Sequence, residues 1–347
     1  MIKNIIFNFL NTASKIKERE VKAVVFSFIF VVVLMSAYYI LRPVRDAMAS
    51  DWTDAEVSWL WTLNFFISTG IVALYGIMVS KFRFRLLVPV MYGIFAGSFI
   101  IFYVLGSIYA DQILIDKAFY VWVSVFSLFH ISVFWSFMSE LFSKEQSSRL
   151  FGIIAVGASV GGLIGPSITA FFSVSLGTDK LMLIASIMLL IPIPIIFYLQ
   201  SLKTKELNNE VLSTPISNQS IGGNPLAGFK MFFSNPYLLS IGLFIFLYTG
   251  ISSFVYFELK NLLSDFTRPE RSVIWAQMDL AVNILAISTG LFATGRIVTK
   301  FGMPTTIAMV PIMICIGLLV LAISPLLGVV MILQIVRRAG NYAVTRP

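Results

Sequence analysis

The sequence predicts an all-α, polytopic membrane protein: a six-helix bundle, a linker and a second, incomplete bundle, with about ten helices in all. Three observations carry this. Of 347 residues, 58% are apolar and 12% charged, against roughly 45–50% and 25% in soluble domains. The apolar excess is gathered into separated runs of roughly twenty residues, the length that crosses a bilayer core. Between the sixth and seventh runs the composition changes, since LKTKELNNEVLSTPISNQSIGGNPLAGFK is polar and rich in Asn, Ser, Gly and Pro, the composition of a flexible connection.

Taken in order, the runs near 22–42, 57–79, 86–107, 119–142, 150–172, 181–200, 235–257, 273–295 and 303–323 are the first nine helices, and a tenth begins near Leu326. They divide the chain into a bundle over 1–200, a linker over 201–230 and a partial bundle over 231–347. The opening residues MIKNIIFNFLN have too short an apolar core, and no small-residue cleavage site, for a signal peptide. Basic residues crowd before the first helix (Lys3, Lys15, Lys17, Arg19, Lys22) and between the second and third (Lys81, Arg83, Arg85). The connections on the opposite side are poorer in them, which predicts a cytoplasmic N-terminus. The net charge of +8 is read as these basic loops, and no nucleic-acid partner is expected. With one cysteine, Cys315, and one histidine, His130, neither a disulfide framework within the chain nor a Cys/His metal centre is expected.

The first helix is the most informative. Nineteen uncharged residues, Ala23 to Leu41, are followed at once by Arg42, Arg45 and Asp46 on either side of Pro43. Proline removes one helical hydrogen bond and crowds the carbonyl at Tyr39, so a kink is expected. At helical spacing Tyr38, Arg42 and Arg45 share a face, with Asp46 one turn beyond Arg42. Two readings are open. The arginines and the aromatic residues Tyr38 and Tyr39 line an anion-binding cavity, or the arginines end the helix and snorkel to lipid phosphates.

On the fourth helix His130 is mid-membrane, followed by Phe134, Trp135 and Glu140. An intramembrane histidine is a functional candidate, or it is held by a neighbouring helix. Glu140, near the helix end, is expected to pair with Lys144 or Arg149. The fifth helix carries Gly157, Gly161 and Gly165 at four-residue spacing, with Pro166 after the last. Small residues on one face let helices approach closely and rock, and direct ligand contact is the other reading. The seventh helix ends YFELKNLLSD, with Tyr256, Glu258 and Lys260, and the eighth contains Asp279 and, one turn on, Asn283. A lone Asp there would cost on the order of 2.5–3.5 kcal/mol on insertion scales, so it is expected to face a partner or water. The tenth helix supplies Arg337 and Arg338, and paired guanidinium groups suit phosphate because they bind it bidentately.

An internal repeat supports the two-bundle layout. GIMVSKF after the second helix and GRIVTKF after the eighth start at Gly76 and Gly295, 219 residues apart, and the same separation joins Asn64 to Asn283 and Asp46 to Asp265. Six helices, a linker and a parallel repeat are the layout of a major-facilitator-type transporter. On that layout a full second bundle would run past residue 347, so the chain is expected to be a partial product. No G-x-x-x-x-G-K-[ST] and no G-x-S-x-G occurs, so neither nucleotide hydrolysis nor another enzymatic activity is expected.

YYILRPVRDAM in the first helix, FHISVFWSFMSELFSKEQSSRLFGIIAVGASVGGLIGPSIT across the fourth and fifth, and QIVRRAGNYAVTRP at the end resemble the bacterial ATP:ADP antiporter family, from about Lys22 to Pro347. The resemblance implies exchange of ATP, ADP or related phosphorylated solutes by alternating access, without hydrolysis, in a bacterial inner membrane. One departure stands out. Plastid and parasite exchangers of that family carry an acidic residue early in the fourth helix, where this chain has only Val121 to Ser127.

The expectation is therefore a nucleotide or organic-phosphate antiporter. Arg42, Arg45, Lys260, Arg337 and Arg338 would meet phosphate, with Asp46 beside them, and Tyr38, Tyr39 or Trp135 would meet a base. The rivals are a proton-coupled carrier of another anion, with Asp279 or His130 taking the proton and Asn283 and Glu258 in its polar cavity, and a non-transporting membrane fragment. Expected partners are a small anionic solute and membrane lipids. No cofactor, metal or particular oligomeric state is implied.

Overall fold

The computed structural model describes residues 16–81, 84–109, 112–207 and 227–345, and among them there is helix and no strand. Ten helices carry the architecture: α1 (Val21–Met48), α2 (Asp54–Lys81), α3 (Phe84–Ile108), α4 (Ile113–Leu141) and α5 (Lys144–Leu176); α6 (Thr178–Lys205), turning at Ile191 before Pro192; α7 (Pro236–Leu262); α8 (Arg268–Phe301), which contains a π-helical turn over Gly290–Thr294; and α9 (Met303–Ile323) and α10 (Leu327–Gly340). The first nine are long and apolar enough to cross a membrane. Short connections make successive helices run in opposite directions, giving one face near Glu20 and another near Asp51.

Several helices begin earlier than their apolar runs, and for one reason. At α5, Ser143 accepts from the Gln146 amide while the Gln146 side chain accepts from the Ser143 amide. Thr53 with Glu56 does the same at α2, and Thr267 with Glu270 at α8. These reciprocal caps satisfy amides that have no partner within the helix, so polar residues open the first turn ahead of the hydrophobic stretch. Two positive-φ glycines, Gly177 (φ 83°) and Gly302 (φ 78°), close α5 and α8, a conformation that strains any residue with a Cβ.

Two expectations about α1 are corrected. The helix does not end at Pro43 but runs on to Met48. Arg42 and Arg45 are therefore within the helix and not at its end, with side chains 16% and 15% exposed. Proline is tolerated in such a helix when its neighbours are packed in protein, and Pro43 is buried. The expected linker also starts late, because α6 continues to Lys205; residues 208–226 lie outside the described residues. A short helix, Ala227–Ser234, precedes α7.

Buried apolar side chains fall into two clusters. One runs from Ile16 to Leu207, with Phe30, Phe99, Phe126 and Phe134 among its largest members. The other joins α7, α8, α9 and α10 through Val255, Leu259, Trp275, Met278, Val310 and Leu333, and takes in Ala47 of α1. α1 lies where the two meet, packed on α4, α5, α6 and α8.

Candidate functional site

The C-terminal half of α1 brings its charged residues together inside the protein. Asp46, 2% exposed, accepts from Arg45 Nη2 at 2.6 Å and Nε at 3.0 Å. From one turn back Arg42 Nε approaches the other Asp46 oxygen at 3.7 Å, and its Nη1 lies 3.5 Å from Asp279 of α8. Arg338 of α10 stands 2.5 Å from the same Asp279 oxygen. Three guanidinium groups thus face two carboxylates. At 4 Å and an effective dielectric near 20 one such pair attracts by roughly 4 kcal/mol, and three cations against two carboxylates leave one cation in surplus. The surplus is most evident at Arg338. Its guanidinium is buried and shares a single oxygen of Asp279 with Arg42.

Around these charges the lining is aromatic and polar. Arg45 also reaches Ser124 Oγ at 3.3 Å and lies 5.4 Å from the centre of the Tyr120 ring. The Tyr120 hydroxyl accepts from Trp61 at 2.7 Å and is 3.3 Å from that of Tyr256 on α7. Tyr38 meets Tyr39 edge to face and stacks on His130 with ring centres 4.2 Å apart. His130 is buried. Asn283 donates to the Asp279 carbonyl at 2.8 Å.

Other residues expected at the site are engaged elsewhere. Lys260 is 1% exposed and donates to the Trp52 carbonyl at 2.7 Å while pairing with Asp54 at 2.9 Å. A lysine so held is a tie between α7 and the start of α2, not a free phosphate ligand. Arg337 bonds Gln334, the Tyr248 hydroxyl and Ser252, all within α7 and α10. Trp135 packs on Phe134 and Phe151, away from the charges. Glu258 is half-buried, with no ion pair among the described residues. Glu140 pairs with Lys203 of α6 at 3.4 Å, not with Lys144 or Arg149, because Arg149 turns to the buried Glu20 at 3.0 Å. Asp265, 219 residues after the buried Asp46, is exposed, so that repeat position does not share its environment.

The small-residue face of α5 meets α1 directly. A methyl group at Gly161 would stand 2.5 Å from the Val32 carbonyl oxygen, and one at Gly165 the same distance from that of Ser36. At Gly157 it would meet Val31 at 2.7 Å. Neighbouring Gly162 faces Asn283 of α8, whose side-chain oxygen would be 2.9 Å from an added methyl. Pro166 is buried just beyond. The glycines therefore let α1, α5 and α8 approach closely beside Asp279.

Sequence reasoning missed a second cluster, on the Asp51 face. Asp51 takes Arg271 at 2.5 Å and Arg268 at 2.7 Å, and Arg268 also holds Asp116 at 2.9 Å. Arg271 further donates to the carbonyls of Leu263, Ser264 and Phe266 beyond α7, and to Ala47 of α1 at 3.3 Å. With Lys260 on Asp54, these bonds fasten the beginning of α8 and the end of α7 to α1, α2 and α4. The available signal was charge complementarity, since acidic Asp51, Asp54 and Asp116 oppose basic Lys260, Arg268 and Arg271 at the ends of predicted helices.

Residues 26–343 match the family described as the Major Facilitator Superfamily. The chain belongs to this superfamily. Among solved structures it is similar to a bacterial homolog of the human lysosomal transporter Spinster, in an inward-facing and unoccupied conformation, with a TM-score of 0.52 and 16% identity over 93% of this chain and 73% of that one. At that identity the likeness concerns the fold. Among curated proteins it is 29% identical over 122 residues to the agnestins efflux protein AgnL12 of Paecilomyces divaricatus. That match covers 35% of this chain and 27% of the length of the relative. The protein is thus a multi-pass membrane protein of this superfamily, helical through its described residues as its composition predicted.

Proposed function

We propose that this superfamily member carries a small anionic solute of the nucleotide or organic-phosphate class by exchange and alternating access. The observation behind the reading is the surplus of buried guanidinium, Arg42, Arg45 and Arg338 against Asp46 and Asp279. A buried cation without its own counterion favours a ligand that supplies one, and the guanidinium fork matches the oxygens of phosphate. Tyr38 and Tyr39 would offer ring faces to a base. Entry needs the cluster to open, so the ion pairs around Asp51 would act as a closure that forms in one orientation and breaks in the other. The glycine face of α5 would let α1 and α8 rock. The two clusters of apolar side chains would move as an N-terminal bundle over 1–200 and a C-terminal set over 231–347. The basic bias supports a cytoplasmic N-terminus, and the family resemblance supports a bacterial inner membrane.

A second reading is proton-coupled movement of another anion. It is favoured by Asp279, which Arg42 and Arg338 both approach and which substrate could release for protonation. Efflux, in the name of the curated relative, would fit it. Counterflow separates the two. Proteoliposomes loaded with unlabelled ADP should take up labelled ATP without an imposed proton gradient if the first reading holds. Uptake of anion only under a proton gradient would favour the second, and no uptake of either would reject both.

A further inference from the structure

A separate basic cavity opens on the Glu20 face, away from the arginine cluster. Its volume is about 230 Å³, and Arg85 at the start of α3, Glu140 near the end of α4, and Ser201, Lys203 and Thr204 near the end of α6 contribute to its wall. Lys203 is nine-tenths buried, and Glu140 is its only carboxylate partner among the described residues, at 3.4 Å. Arg85 has no carboxylate partner among the described residues. Its Nε donates to the Gln200 side chain at 2.9 Å, and the Gln200 amide returns a bond to the Arg85 carbonyl at 2.9 Å. This clasp ties the Arg85 guanidinium to Gln200 near the end of α6. Two cations face one carboxylate, with two hydroxyls beside them, so the lining favours an anion whose oxygens accept hydrogen bonds.

The surroundings say which anion. On α3 the residues just past Arg85 present exposed apolar side chains at every fourth position, Leu86, Val90 and Ile94. On α6 Phe197 and Leu190, just before Gln200, are exposed as well. In a bilayer these stripes face acyl chains, while the cavity at the helix ends lies at the depth of the headgroups. A polar cup at the edge of an apolar wall fits a molecule with a phosphate at one end and hydrocarbon at the other.

We propose that this cavity binds the phosphate of an anionic phospholipid, with Arg85 and Lys203 as its cations and the α3 and α6 stripes holding the chains. The site is independent of the transport reading, since it shares no residue with the arginine cluster.

Native mass spectrometry of the full chain in detergent tests this, with phosphatidylglycerol titrated against phosphatidylcholine of the same acyl composition. Wild type should retain phosphatidylglycerol preferentially. Arg85→Gln and Lys203→Gln should each weaken that preference roughly fivefold, the effect of removing one cation near an anionic surface. Phosphatidylcholine retention should stay unchanged, and Lys203→Arg should restore the preference. That rescue separates loss of the site from loss of the fold, which circular dichroism of each variant monitors. Equal retention of the two lipids, or a preference indifferent to both glutamine variants, would overturn the proposal. Displacement of phosphatidylglycerol by millimolar inorganic phosphate would also overturn it, assigning the cavity to a soluble anion.

Discussion

Arg42 of α1 stands 3.5 Å from Asp279 of α8, and Arg338 of α10 approaches the same carboxylate oxygen at 2.5 Å. One buried carboxylate therefore links α1 to the helices of the second apolar cluster. Substrate that drew either arginine away would loosen that link, which gives binding a direct means of changing how α1 sits against α8.

The pairing has a stability consequence. Asp279→Asn removes the counterion of two buried cations, and breaking a buried pair from one side costs on the order of 3–5 kcal/mol. The variant should melt markedly lower than wild type in detergent. Adding Arg338→Gln should recover part of the loss, since the double variant no longer buries that guanidinium. Simple additivity of the two losses would show that the residues do not interact.

Arg42→Lys and Arg45→Lys should each lower substrate affinity about tenfold or more, because a point charge cannot reproduce a bidentate fork. Exchange rates and affinities in proteoliposomes measure this. Lysine variants as active as wild type would mean that these positions need only a positive charge on a long stem.

Gly161→Ala and Gly165→Ala should destabilise by roughly 1–3 kcal/mol through overpacking, since each added methyl would lie 2.5 Å from a carbonyl oxygen of α1. Gly152→Ala on the same helix meets nothing within 4 Å and should be neutral. Thermal unfolding of the three variants decides. Equal tolerance at all positions would refute close α1–α5 packing as the role of the glycines.

Loosening the Asp51 face should admit reagents from that side. In a Cys315→Ser background carrying Ser124→Cys, a polar thiol reagent should react roughly tenfold faster once Asp51→Asn is added, a shift of about 1.4 kcal/mol in the opening equilibrium. Unchanged labelling would leave the Asp51 ion pairs as static ties.

Much of the fold was legible because membrane helices announce themselves by length and hydropathy, as the runs that became α2, α3, α6 and α9 show. Helix starts were less so. Ser143, Thr53 and Thr267 cap their helices through polar side chains that a search for apolar runs leaves outside. The arginines of α1 were found because charge inside an apolar stretch is conspicuous, and so was Asp279. Asp46 was legible beside them, but the partners on other helices were not, since pairing across helices is decided by which of them pack together. Arg42 meets Asp279 from 237 positions away, and Lys260, equally conspicuous, turned to Trp52 and Asp54. Tyr120 carried no signal of its own, and Tyr256 was noted only beside Glu258 and Lys260, because the hydroxyl contact between them joins two separate helices.

The most direct test of the central claim is equilibrium binding of labelled ADP to the purified chain, measured by scintillation proximity for wild type and for Arg42→Gln, Arg45→Gln and Arg338→Gln. Saturable binding by wild type, displaced by ATP and weakened at least tenfold in each variant, is the predicted result. The weakening should persist where the variant's melting temperature is unchanged. Binding that is absent from folded wild type, or equal in all four proteins, would contradict the account.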